Sequence, residues 1–163
     1  IAIADYKGPV YLRFGRPKVP VFTDPSKKFE IGKGIKLTDG SDVTIAATGH
    51  LVWESLEAAK ILNKSGISVE VINIHTFKPL DKTIILKSVE KTRCIVSAEE
   101  HNFLGGLGES ISRVLSKNLP LPQEFIATKD TFGESGTPAQ LMEKYGLSAN
   151  SIVDKAKKVI SRK

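Results

Sequence analysis

The sequence holds one cysteine, Cys94, in 163 residues. No disulfide framework exists, and a reducing compartment, the cytoplasm, is the expected setting. Followed by Ile95-Val96, Cys94 is expected to be a small buried hydrophobe within a strand. No apolar run approaches the roughly eighteen residues of a membrane helix, so no membrane partner is expected. The opening Ile1-Ala2-Ile3-Ala4-Asp5-Tyr6-Lys7 has no charged leader before an apolar stretch and is not a secretory signal. A starting methionine is lacking as well, and the chain is read as a cut edge of a longer protein. There is no internal repeat and no low-complexity tract. Neither Glu-x-x-His nor His-x-x-x-His occurs, so no metal site is expected.

What is present is ordinary in bulk. Hydrophobic residues make up 40% and charged residues 26%, as in soluble globular proteins, and the length suits one well-cored domain. The net charge of +6 is unevenly spread. Residues 1–36 carry eight Lys or Arg against three acids, which leaves only one net positive charge to the other 127 residues. A second basic cluster, Lys155, Lys157, Lys158, Arg162 and Lys163, closes the chain. It is read as a solvated helix face rather than a nucleic-acid surface.

The chain divides near residue 35. Before it, Val10-Tyr11-Leu12-Arg13-Phe14 alternates like a short strand, among Pro9, Pro17, Pro20 and Pro25, which suit an extended arm. A lone strand forms no core and would need a partner sheet. After it, Ile35–Thr38, the turn Asp39-Gly40-Ser41-Asp42 and Val43–Thr48 read as a hairpin, since Asp-Gly is a strong hairpin signal. Helical spacing follows over Leu51–Ser65, stopped by Gly66. Then come a strand over Val69–Ile74, a helix over Asp81–Lys91 with Asp81 as N-cap, and a strand over Arg93–Ala98. A helix over Leu107–Lys117 and a strand over Glu124–Ala127 complete the alternation. Thr137-Pro138-Ala139-Gln140 has the form of a capping box, ending at Gly146, and Ser148 caps a last helix. Alternating strands and helices of this length imply a three-layer α/β domain with a mostly parallel five-stranded sheet. The hairpin adds one antiparallel edge strand.

Ligands of open parallel sheets bind at the carboxyl ends of the strands. Thr48-Gly49-His50, Ile74-His75-Thr76-Phe77 and Glu99-Glu100-His101-Asn102 fall there, which places all three histidines on one sheet edge. Each His is read as a capping or hydrogen-bonding group. Gly105 and Gly106 permit positive φ and a sharp turn into a helix. Glu99 and Glu100 are expected to accept hydrogen bonds from that loop's N–H groups or to face a cationic partner, because two carboxylates repel a phosphate. Arg16, straight after the arm strand and before Pro17, suits bidentate recognition of a phosphate; the alternative is an exposed linker arginine.

Several of these stretches resemble one family. Gly8-Pro9-Val10-Tyr11-Leu12-Arg13-Phe14-Gly15-Arg16 is similar to the last strand of the pyrimidine-binding domain in transketolases. Glu99-Glu100-His101 through Gly105-Gly106-Leu107-Gly108-Glu109 resembles the family's acidic-histidine and glycine turn. Phe132-Gly133-Glu134-Ser135-Gly136-Thr137-Pro138, with Leu141-Met142 and Lys144-Tyr145-Gly146-Leu147, resembles its C-terminal signature. The resemblance runs over essentially the whole chain. It implies residues 1–34 as the tail of the pyrimidine-binding domain plus linker, and 35–163 as the C-terminal domain. It further implies a thiamin-diphosphate enzyme, cytoplasmic and homodimeric, that moves a two-carbon ketol unit between sugar phosphates of the pentose phosphate pathway. Thiamin diphosphate, magnesium and the catalytic groups belong to other domains in that family. This stretch alone is therefore expected to bind neither cofactor and to be inactive. Only the arginine that grips the substrate phosphate carries over, at Arg16. Glu99, Glu100, His101, Gly105 and Gly106 are candidates for ordering the loop or for an interface with the rest of the enzyme.

Deoxyxylulose-phosphate synthase and the beta subunit of 2-oxo acid dehydrogenases share the fold and the glycine turn. Gly15-Arg16-Pro17-Lys18 and Lys144-Tyr145-Gly146-Leu147 favour transketolase. A free-standing nucleotide-binding or interaction module is the alternative of another class, and the orphan segment Val10–Phe14 argues against it.

Overall fold

In a computed structural model, which describes residues 1–15, 18–26 and 28–163, five strands form one sheet in the order β1-β3-β2-β4-β5. These are β1 (Ile35–Thr38), β2 (Val43–Ala47), β3 (Val69–Asn73), β4 (Ile95–Asn102) and β5 (Gln123–Thr128). β2, β3, β4 and β5 run parallel, and β1 joins β3 antiparallel at one edge. Every residue of β2 and β3 is buried, because helices cover both faces of the sheet.

Side-chain alternation divides the core in two. Val43, Ile45, Ala47, Val69, Val71, Val96 and Ala98 face α1 (Leu51–Lys64) and α5 (Ala149–Ile160). On the other side Ala46, Ile72 and Ile95 face α2 (Lys82–Thr92) and α3 (Leu107–Asn118). The three-layer α/β architecture with an antiparallel edge strand is thus the one the sequence implies. Local signals also hold. Asp81 caps α2 by accepting from the N–H groups of Thr83 (3.1 Å) and Ile84 (3.2 Å). Thr137 and Gln140 form the capping box of α4 (Pro138–Lys144), and Gly146 takes positive φ just past it. Cys94 is fully buried immediately before β4, and burial pushes its thiol pKa up.

Three expectations fail. β1 and β2 form no hairpin, although Asp39-Gly40 lies between them. β2 is already flanked by β3 and β4, so β1 cannot pair with it and joins the outer side of β3. There Thr38 Oγ1 donates to the Val69 carbonyl (3.0 Å) and accepts from Val71 N–H (2.9 Å). Gly40 serves a close approach instead of a hairpin turn, since a Cβ on it would lie 2.1 Å from the Val69 carbonyl carbon.

Val10–Phe14 is not a strand either. No ladder partner exists for it among the described residues, and a single strand cannot satisfy its own backbone groups. Nor is the C-terminal basic cluster merely a solvated face. Lys155 (2.9 Å), Lys158 (3.1 Å) and Arg162 (2.6 Å) converge on the buried Glu124 of β5. Burial alone would raise the Glu124 pKa, but hydrogen bonds from Lys155 and Lys158 outweigh it and hold the carboxyl below its ordinary value.

Candidate functional site

The sheet's connections define where a site belongs. From β2 the chain crosses by α1 to β3, and from β4 it crosses by α3 to β5, on opposite faces and in opposite directions. The carboxyl ends of β2 and β4 therefore flank a topological switch point, the usual crevice for ligands in such sheets. His50 follows β2, and Glu99, Glu100 and His101 lie in the last turns of β4.

Neighbouring residues of a strand point to opposite faces, and this separates the two glutamates. Glu99 turns toward α3 and is 1% exposed. Its two oxygens accept from Leu107 N–H and Gly108 N–H, each at 2.8 Å. It thereby satisfies two of the orphan donors at the start of α3, in place of a side-chain cap that Gly106 cannot supply. Gly105 takes positive φ (+74°) at the bend. Gly106 does not use that freedom; its φ is −84°. Glycine is required there for space, since a Cβ would lie 2.5 Å from both Glu99 oxygens. His101 sets its Nδ1 3.2 Å from Glu99 Oε2 and meets Phe77 edge-on, with ring centroids 5.7 Å apart.

Glu100 turns the other way, toward α1. Its Oε2 stands 2.9 Å from His50 Nδ1. His50 occupies the N-cap position of α1 but makes no capping hydrogen bond with its side chain; the ring instead meets Glu100. This pair joins the ends of β2 and β4 across the switch point, whereas from sequence His50 is read only as a generic capping or hydrogen-bonding group. The signal available was its place directly after a central strand.

His75, at the end of β3, is linked to Thr76 Oγ1 through Nδ1 (2.9 Å) and stacks against Phe29 of the arm at 4.3 Å. Among the described residues its buried Nε2 finds no hydrogen bond of good geometry. Burial lowers its pKa, and the nearby Lys33 backbone opposes that shift. The arm follows the carboxyl edge of the sheet: Gly15 lies against His50, Gly32 against Pro79, and Gly34 N–H donates to Asp81 Oδ2 at 3.0 Å. Arg16 itself lies outside the described residues.

This edge does not fit thiamin diphosphate or its magnesium. The N–H groups that start α3 are filled by a carboxylate, where a diphosphate would meet like charge. Among the described residues no group of three His, Cys, Asp or Glu is placed to hold a metal ion. Nor is any described helix long and apolar enough to cross a membrane.

Comparison with known proteins gives the context. The chain is 42% identical over 161 residues to the 6-deoxy-6-sulfo-D-fructose transketolase subunit of a Clostridium species, covering 99% of this chain and 50% of that protein. It is 42% identical over 153 residues to a transketolase C-terminal section of Methanocaldococcus jannaschii, covering 92% of this chain and 48% of the other. Among solved structures, a split-gene transketolase described as an inactive beta4 tetramer is 41% identical, with a TM-score of 0.85 over 88% of this chain and 47% of that one. The chain thus spans about half the length of the relatives it matches. Residues 32–152 match the family model of the transketolase C-terminal domain, the same stretch in which the switch-point sheet and its glutamate-capped helix are built, and the chain belongs to that family.

Proposed function

We propose that this chain is the C-terminal portion of a thiamin-diphosphate enzyme that transfers a two-carbon ketol unit between sugar phosphates. In this reading residues 1–34 are the tail of the pyrimidine-binding domain plus linker, and 35–163 are the C-terminal domain. Cofactor, magnesium and catalytic groups lie in the remaining portion, with which the chain assembles as a homodimeric, cytoplasmic enzyme. When bound there, the thiamin supplies the carbanion chemistry of ketol transfer. The role of this chain is to complete the assembly and to present Arg16 to the substrate phosphate.

The observation that carries the reading is the course of the basic arm along the carboxyl edge, with Gly15, the residue before Arg16, against the switch-point histidine. A guanidinium is suited to a phosphate because its planar fork matches two oxygens at once. The test is Arg16→Ala in the assembled enzyme, assayed with phosphorylated and unphosphorylated acceptors. Loss of a charge-assisted contact is expected to cost about 1.5–3 kcal/mol in KM for the phosphorylated acceptor only. Equal effects on both acceptors would make Arg16 structural. This chain assayed without the remaining portion is expected to show no turnover.

A further inference from the structure

We infer that the His50–Glu100 pair is a positioning device for the arm: it seats the chain at Gly15 and so sets the affinity for phosphorylated sugars. The inference rests on the reading of Arg16 as a phosphate ligand and adds two residues of the C-terminal domain to substrate binding.

Four observations build the seat. First, His50 and Glu100 meet at 2.9 Å across the switch point, with side chains only 17% and 20% exposed. The contact places the ring between the Glu100 carboxylate and the arm. Second, Glu100 lies beside the bare backbone of Gly49. Its Oε1 is 3.3 Å from where a Cβ there would stand, and Gly49 holds a positive φ that disfavours any other residue. Third, the ring is not spent on capping α1. Fourth, its far side is filled by the arm: a Cβ on Gly15 would stand 2.4 Å from both Cε1 and Nε2 of His50.

The backbone of Gly15 does not take positive φ, so conformation does not demand glycine there. The close approach to the ring does. Retreat of the ring would give up its close contact with Glu100. The covalent chain then continues directly into Arg16. Positioning of this kind acts on affinity, because small misplacements of a binding group are costly while the reacting groups stay where they were.

The experiment is a double-mutant cycle in the assembled enzyme, with KM and kcat read for phosphorylated and unphosphorylated acceptors. Gly15→Ala is expected to raise KM for the phosphorylated acceptor about tenfold, with kcat and the unphosphorylated KM unchanged. His50→Ala opens room for the added methyl. In the double variant KM is therefore expected to fall back to the value of His50→Ala alone, a non-additivity that a general loss of stability does not produce. Additive effects, or equal losses on both acceptors, overturn the seat. Arg16→Ala run in parallel separates the two claims. A phosphate-selective Arg16→Ala beside a silent Gly15→Ala overturns the seat alone, whereas an Arg16→Ala without selectivity overturns both.

Discussion

Val10–Phe14 and Ile35–Thr38 are both short segments with alternating character, yet only the second is a strand. The first has the stronger β-forming composition, with Val10, Tyr11 and Phe14, and it leaves Tyr11 88% and Phe14 84% exposed. The second contains Lys36 and a single β-branched aliphatic, and it pairs along β3. Pairing is decided by an available edge and a face to cover, with propensity secondary. The same contrast separates the whole arm from the body. Residues from 35 onward close a two-sided core, while the described arm meets it through a few contacts, at Gly15, Phe29, Gly32 and Gly34 and through Phe22 packed against the core.

That contrast has measurable limits. Ile45, fully buried at the centre of β2, is expected to cost about 2–5 kcal/mol on replacement by alanine. Phe14→Ala is expected to change the stability of this chain by less than about 0.5 kcal/mol. Urea unfolding of both variants checks the pair, and comparable losses would show that the arm is part of the cooperative unit. An intermediate effect is expected at the edge where arm and body meet. Glu99→Gln keeps one acceptor but turns an NH2 toward a helix N–H, and so should cost about 1–3 kcal/mol. Hydrogen exchange localised to the start of α3 would report it; unchanged protection of Leu107 and Gly108 would contradict the capping role.

A more modest effect is expected at the C-terminal end, where α5 is pinned by ion pairs. Glu124 has a folded pKa below its unfolded one. Its stabilisation is therefore full above the ordinary glutamate value of about 4.3 and is lost as pH falls through the lower folded value. Glu124→Gln is expected to lose about 1–2 kcal/mol at neutral pH, with partner exposure limiting the gain. As pH falls below about 4 the gap between variant and parent should narrow in thermal melts, closing once pH is below the folded value. A constant gap down to pH 2 would mean the loss is one of packing.

Most elements from β2 onward were legible in the sequence, because each changes the hydrophobic period and is bounded by Gly, Asp or a capping box. The pairing of β1 was not. Asp39-Gly40 is a local signal, whereas the free edge of β3 exists only once β2 lies between β3 and β4. At the site, placing the three histidine segments on one edge followed from strand ends alone. The His50–Glu100 pair did not, since half a hundred residues separate them and only the adjacency of β2 and β4 joins them. The opposite directions of Glu99 and Glu100 were available from strand alternation, but two adjacent carboxylates read more readily as one acidic patch.

The antiparallel edge also imposes an order on synthesis. Ile35 pairs with Asn73 and Lys36 with Ile72, so β1 leaves the ribosome well before the strand it joins. During translation the basic arm and β1 wait, unpaired, until α1 and β3 have emerged and packed. The junction between the arm and the body is thus among the later parts of this half of the sheet to form, after the surface on which the arm comes to rest.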